Sequence, residues 1–283
     1  MIKTLATKHA VAELCGLFDV SSSGYYAWTR RKPGKRQVAN QALAAQIQQA
    51  HASSRKTYGS PRITETLRQQ GLKCGKKRVA RIMRQKGLHG VQKARYRPRT
   101  TDSRHDLPIS PNRLAALPAV ERINQVWVSD ITYIPTQEGW MYLAAFMDRK
   151  SRKIKGWTIR DHMRTELVES AFLQAVFRER PAPGLIVHSD RGSQYASREF
   201  RSLLDRHRTL SSMSAKGNCY DNAAMESFWA TLKADLGISQ PFKTKEDARR
   251  AIFDYIEVFY NRRRIHSAIG DLSPLDYELK QSA

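Results

Sequence analysis

The rhythm of apolar and polar positions changes near residue 120. Beyond it, "NQVWVSDITYIP" (124–135) alternates with a period of two: Val126, Val128, Asp130 and Thr132 share one face, and Trp127, Ser129, Ile131 and Tyr133 the other. That is the signature of a strand. "WMYLAAFMD" (140–148), after the hairpin-like "TQEG", predicts a second strand, and "KIKGWTIR" (153–160) a third. A helix follows over 165–180, with Leu167, Val168, Ala171, Phe172 and Val176 at helical spacing and Pro181 ending it. "GLIVHS" (184–189) is a short apolar run of the kind buried on both faces of a sheet. A helix over 197–207, a strand near 209–213 and a helix over 221–236 complete the pattern. Three strands joined by short turns predict an antiparallel meander, and the helical crossovers after them predict added parallel strands. The expectation is an α/β fold with a mixed five-stranded sheet and flanking helices.

Before residue 120 the chain reads as helical. Segments 9–16 and 21–30 flank the turn "LFDV", with Ser21 or Ser22 as N-cap. A basic break, "RRKPGKR" (30–36), precedes a polar helix over 37–52. In 58–90, Ser60 is expected to cap a helix with Pro61 at its first position, Ile63 and Leu67 inward and Gly71 as its stop. A second helix there turns Val79, Ile82 and Met83 inward. Two short helices around a Gly-containing turn, the second one basic, make a helix-turn-helix pattern, although an ordinary helical hairpin with a solvated charged face reads the same way. Prolines 98, 108, 111 and 118 mark a linker. The expected division is an N-terminal helical segment (1–36), a basic helix-turn-helix-like domain (37–95), a Pro/Arg-rich linker (96–118), an α/β core (119–238) and a C-terminal helical extension (239–283). In the extension, Ile252, Ile256 and Phe259 form one apolar face.

Composition narrows the class. The chain has 283 residues, 41% hydrophobic and 27% charged, as expected for a soluble globular protein. Its longest apolar stretch, 140–147, is far short of the roughly 20 residues that span a bilayer. No apolar leader opens the sequence, so a cytoplasmic protein is expected. Cys15, Cys74 and Cys219 lie far apart with no zinc-ligand spacing, so free thiols and no zinc are expected. Charge changes the picture most. The net charge is +23, and residues 1–110 hold 23 Lys/Arg against 5 Asp/Glu. Stretch 73–99 has eleven basic residues and no acid. Such a surface suits a polyanion, nucleic acid before an anionic membrane. The candidate phosphate contacts are Lys76, Lys77, Arg78, Arg81 and Arg84, with Arg262, Arg263 and Arg264 (beside His266) at the end of the C-terminal helix, where a solvated helix end is an equal reading.

Three carboxylates carry the candidate chemistry. Asp130 falls mid-strand on the face of Val126 and Val128, where a lone charge is costly. Asp190 ends the fourth strand, in the position where α/β sheets collect ligands. If the first and fourth strands are neighbours the two converge, and a divalent cation with hard oxygen ligands removes their repulsion. Gly192 would then let backbone and DNA approach closely. Glu226 lies in "GNCYDNAAMESFWATLK" (217–233), on a helix capped by Asp221 or Asn222 and buried through Met225, Phe228, Trp229, Leu232 and Leu236. Glu226 sits at the edge of that stripe, and Lys233 lies two turns on, placed for a DNA phosphate. Each acid has a plainer reading. Asp130 could bond Thr132 and Tyr133, Asp190 could cap its turn, and Glu226 could pair with an arginine. Asp148 reads as a turn residue.

Fifty-nine residues separate Asp130 from Asp190 and thirty-five separate Asp190 from Glu226. This spacing resembles the DDE core of retroviral-type integrases. In order, "WVSDITYI", "EGWMYLAAFMD", "VHSDRGSQYAS", "SMSAKGNCYDNAAMESFWATLK" and "YNRRRIHSAIGDLSPLDYE" resemble the OrfB product of insertion-sequence 3 family transposases, from about residue 10 to the C-terminus. The resemblance implies an RNase H-like core preceded by a small all-helical helix-turn-helix region. It implies Asp130, Asp190 and Glu226 as catalytic metal ligands, two Mg²⁺ or Mn²⁺ ions, and DNA cleavage followed by strand transfer. His188 and Ser189 would be positional. It also implies element-end and target DNA as partners, an OrfA-type partner or frameshift fusion, a dimer or tetramer on DNA, no membrane, and a bacterial cytoplasmic, nucleoid-associated location. An RNase H-like nuclease without strand transfer, or a non-catalytic DNA-binding protein, remain the alternatives.

Overall fold

The computed structural model describes residues 1–91, 106–215 and 222–282. Helices α1 (Ile2–Leu5), α2 (Val11–Leu17) and α3 (Ser22–Arg30) open the chain. Ser21 caps α3 by accepting the Gly24 N–H at 3.1 Å. A second helical unit holds α4 (Lys35–Ser53), α5 (Ser60–Gln69) and α6 (Lys76–Gln85). Ile63 and Leu67 of α5 and Val79, Ile82 and Met83 of α6 are buried together with Leu43, Ala44, Ile47 and Ala50 of α4. Ser60 does not cap α5. Gly59 holds that position in extended backbone, and Ser60 is already helical, its carbonyl accepting the Thr64 hydroxyl at 2.7 Å. Pro61, with its fixed φ and no N–H to satisfy, suits that first turn and starts the helix one residue early.

The sheet contains β1 (Val126–Thr136), β2 (Gly139–Asp148), β3 (Ile154–Arg160), β4 (Ile186–Ser189) and β5 (Leu210–Met213) in the order β3-β2-β1-β4-β5. The first three strands run antiparallel, and β4 and β5 join β1 in parallel. Helix α7 (Thr165–Glu179), the single turn α8 (Ser193–Ala196) and α9 (Arg198–Arg206) cover one face, with Phe172 of α7 and Phe200 of α9 packed over Trp127 and Phe146 of the sheet. Helices α10 (Ala223–Asp235) and α11 (Lys245–Phe253), continuing into a π-helical turn at Asp254–Tyr260, cover the other, over Val126, Val128, Ile134 and Leu143. Helix α12 (Pro274–Ser282) follows them in the chain. Asp221, one of the two expected caps of α10, and Cys219 lie outside the described residues. Asn222 occupies the cap position without a capping bond. At β3, α7 comes so close that a Cβ on Gly156 would stand 2.2 Å from the Ala171 carbonyl oxygen.

The helical unit is seated on the C-terminal segment. Tyr58 accepts the Ile265 N–H at 2.8 Å and lies against the Phe259 ring, and Arg55 pairs with Asp254. One apolar core therefore runs from α4–α6 through the π turn to the sheet. Arg264 is part of this interior and not a phosphate contact. It is 2% exposed, and its Nε donates to Asp235 Oδ2 at 3.0 Å while Tyr255 donates to the same oxygen at 2.9 Å. Arg262 and Arg263 remain exposed.

Two stability measurements test this packing. Gly156→Ala should cost about 2–3 kcal/mol in urea unfolding, because the α7 backbone cannot yield to a methyl group. Arg264→Ala should cost about 3–5 kcal/mol by stranding Asp235, whereas Arg262→Ala and Arg263→Ala stay within about 0.5 kcal/mol. Equal effects for all three arginines would refute the assigned burial.

Candidate active site

Parallel pairing brings the first two carboxylates level. Val126 pairs with Ile186, Trp127 with Val187 and Val128 with His188. The same sequence offset relates Asp130 to Asp190, so they occupy equivalent positions where β4 ends and β1 continues. Both are half-buried. Asp130 Oδ1 accepts its neighbour's backbone N–H, from Ile131, at 2.8 Å, and Oδ2 accepts the Trp229 indole N–H at 3.0 Å. These are its donors, in place of the Thr132 and Tyr133 contacts of the plainer reading. Burial first, and then the charge of Asp190, push the Asp130 carboxyl up to about 8. The two N–H donors oppose that rise, and Glu226 adds a smaller push in the same direction.

Asp190 Oδ1 accepts the Gly192 N–H at 3.0 Å. Gly192 itself has an ordinary φ of −62° and caps α8. Its need for a hydrogen side chain is local: a Cβ would stand 3.1 Å from Asp190 Oδ1 and equally close to Gln194 Oε1. Glu226 lies in the first turn of α10 and is exposed. It is near enough for its charge to reach Asp130, but among the described residues no three His, Cys, Asp or Glu side chains stand at metal-holding spacing. The fold thus joins Asp130 to Asp190 and sets Glu226 beside them.

Neighbouring groups sort into frame and surface. His188 is fully buried, its ring nitrogens bonded to Ser212 and Ser214 Oγ at 2.9 and 3.1 Å, which ties β4 to β5. Ser189 donates to the Asp190 carbonyl at 2.9 Å. Asp148 accepts backbone N–H groups of Asn124, Lys150 and Ser151, as a turn residue does. Tyr195 is buried beneath the carboxylates, its hydroxyl 2.9 Å from Ser129 Oγ, and burial and the charges of Asp130 and Asp190 raise its pKa well above the ordinary tyrosine value. Lys233 is half-buried, and burial lowers its pKa against the opposing pull of Asp130. On α6, Lys76, Lys77, Arg81 and Arg84 are exposed, while Arg78 donates through Nε to Asn40 Oδ1 at 2.8 Å and so braces α6 on α4. Periodicity had given Trp229 and Tyr195 no polar role. The one available signal was the helical stripe Asn222, Glu226, Trp229 and Lys233, at steps of four, three and four.

Comparison with known proteins agrees with this frame. Residues 120–219 match the family described as "Integrase core domain", residues 207–274 a second family of that description, and residues 38–96 "HTH-like domain". The chain is 42% identical over 267 residues to the "Insertion element IS600 uncharacterized 31 kDa protein" of Shigella sonnei, covering 94% of this chain and 98% of the relative. It is 38% identical over 276 residues to "Transposase InsF for insertion sequence IS3A" of Escherichia coli (strain K12), covering 97% and 96%. The HTLV-2 integrase catalytic core domain, solved in complex with magnesium, aligns with 54% of this chain and 95% of its own at a TM-score of 0.43 and 17% identity. No helix among the described residues is long and apolar enough to cross a membrane. With identity of this order along nearly the whole length of both sequences, the chain belongs to the insertion-sequence 3 family of transposases and is a DDE transposase.

Proposed function

We propose that Asp130, Asp190 and Glu226 are the metal-holding carboxylates of this transposase, that they take two Mg²⁺ or Mn²⁺ ions, and that they support cleavage of element-end DNA followed by strand transfer. The observation that carries this reading is the level placement of Asp130 and Asp190 on adjacent parallel strands, with the Asp130 carboxyl pushed up to about 8. Two acids so placed favour either a proton or a cation between them. The donor set fits a hard divalent ion, because every candidate ligand is a carboxylate oxygen. When bound, such ions polarise the scissile phosphate and lower the pKa of the attacking hydroxyl.

The protein's own groups do the rest. Ile131 N–H and Trp229 fix the Asp130 carboxylate, and Gly192 N–H fixes that of Asp190. Glu226 stands on the first turn of α10, close enough for its charge to reach Asp130. Lys233, two turns on, faces the phosphate next to the scissile one. No side chain serves as nucleophile: water attacks in cleavage, and a DNA 3′-hydroxyl in joining. The 37–95 unit binds duplex through Lys76, Lys77, Arg81 and Arg84, and Arg262 and Arg263 add phosphate contacts from the 239–283 extension. Pairing two element ends calls for a dimer or tetramer, with an OrfA-type partner or fusion supplying terminal-repeat selectivity. Such an enzyme works at the nucleoid.

Purified protein, with and without an OrfA partner, is given labelled element-end DNA, Mg²⁺ and a target plasmid. Joined products should fall on the order of a thousandfold in Asp190→Asn, with DNA binding retained, and should vanish in EDTA. Joining that survives both changes refutes the reading, and hydrolysis without joining would leave a metal nuclease. A second test concerns metal-free protein. Because folding raises the Asp130 pKa from 3.8 to about 8, the folded state binds a proton that the unfolded chain has lost, and stability declines as pH rises through that window. Asp130→Asn removes the charge and keeps an acceptor for one of the two N–H donors, so in EDTA its melting temperature should gain on that of the native chain as pH rises from 4 to 8. Metal at about a hundred times its Kd should add about 2.7 kcal/mol to the native chain and little to the variant. A difference between variant and native that does not change from pH 4 to pH 8 in EDTA contradicts the assigned conflict of charge.

A further inference from the structure

We propose that Trp229 is a positioning residue for Asp130, holding that carboxylate in the orientation in which it receives a divalent cation; this rests on the reading of Asp130 as a metal ligand. The indole N–H reaches Asp130 Oδ2 at 3.0 Å, and the Ile131 N–H occupies Oδ1 at 2.8 Å. With one N–H on each oxygen, rotation of the carboxylate is fixed, and each oxygen keeps a free lone pair for a cation. Indole is a donor only. It cannot ligate a metal, so its bond can only orient the carboxylate and steady its charge.

The donor is itself immobile. Trp229 is 6% exposed, its ring lies 4.7 Å from that of Phe228, and Phe228 lies 4.7 Å from Tyr260 of the π turn. The helix carrying it is pinned to β1 beside the same carboxylate: Asn222 Nδ2 donates to the Ser129 carbonyl at 3.3 Å. At its other end, Asp235 is held by Arg264 and Tyr255. Asn222, Glu226, Trp229 and Lys233 form one stripe of α10, so a single rigid helix sets the distance of Glu226 and the angle of Asp130 together. An aromatic ring is needed here for packing, and phenylalanine would supply it. The indole N–H is the atom that packing does not explain. Removing a partner that orients a metal ligand typically weakens metal binding about 10–100-fold.

The test measures Mn²⁺ binding by calorimetry on the full chain. It compares native protein, Asp190→Asn, Trp229→Phe, and protein carrying benzothienylalanine at position 229, placed by codon suppression. The last keeps the bicyclic shape and replaces the N–H with sulfur. Both Trp229 variants should bind Mn²⁺ about tenfold or more weakly. The benzothienylalanine protein should melt in EDTA close to native, and its strand transfer should need correspondingly more metal while recovering toward the native rate at saturation. Mn²⁺ affinity within about twofold of native in the benzothienylalanine protein would overturn the role of Trp229, even if Trp229→Phe fails to fold. Native protein that shows no binding dependent on Asp190 would overturn the metal reading itself, a result distinct from native-like binding in the Trp229 variants.

Discussion

Two carboxylates set side by side at the end of a buried strand repel each other, and much of this molecule serves to hold them there. A slip of one residue between β1 and β4 would turn one of them to the opposite face of the sheet. Apolar side chains forbid the slip: Val126, Val128 and Ile186 must meet α10 and the C-terminal helices, while Trp127 and Val187 must meet α7 and α9. The register that buries these five side chains is the one that levels Asp130 with Asp190. Backbone and indole N–H groups soften the conflict without cancelling it, since none carries a full charge. The site is therefore frustrated when both acids are charged, and a proton or, on the proposed reading, a cation would relieve it.

The second support is α10, and its anchors lie far from the carboxylates in sequence. Asp235, in its last turn, is gripped by Arg264 and Tyr255. The segment that supplies those residues also seats the α4–α6 unit, through Tyr58 against Ile265 and Phe259. The basic helix α6 and the carboxylate-bearing strand thus share one continuous core rather than meeting through a tether. DNA held on α6 would have a fixed relation to Asp130, and a substitution at Arg264 would disturb the site without touching substrate.

What the sequence disclosed follows from what local patterns encode. Period-two alternation, the apolar run at 184–189 and the short strand expected near 209–213 place all five strands within a residue or two, and the meander followed by parallel additions is the order found. The approach of Asp130 to Asp190 was legible as soon as the first and fourth strands were taken as neighbours. Individual polar atoms were not legible. Trp229 belongs to the buried stripe as expected, yet one atom of its ring faces a carboxylate 99 residues earlier in the chain. His188 is fixed by serines more than twenty residues away. Ser60 carries the chemistry of a cap, but Gly59 and Pro61 settle the helix start. Gly192 makes room for the carboxylate two residues before it, a contact that no local pattern encodes.

The three consecutive arginines show why charge alone misleads. Arg262, Arg263 and Arg264 are equivalent in composition, yet only Arg264 finds a buried carboxylate, and it becomes interior structure. The same reasoning separates the two halves of the molecule. From residue 111 onward, 26 basic residues face 21 acidic ones, and many are consumed internally, as Lys153 and Lys155 are by Glu179 and Glu278. Between residues 20 and 101 the single acid is Glu65, which lies 3.6 Å from Arg68. Arg55 must reach across to Asp254, and Arg78 settles for an asparagine. Lys76, Lys77, Arg81 and Arg84 have no acid within their own unit beyond Glu65, which sits beside Arg68. Their counter-charge has to come from solution, as mobile ions or as the phosphates of DNA, and release of condensed counterions into bulk solution is what drives such binding.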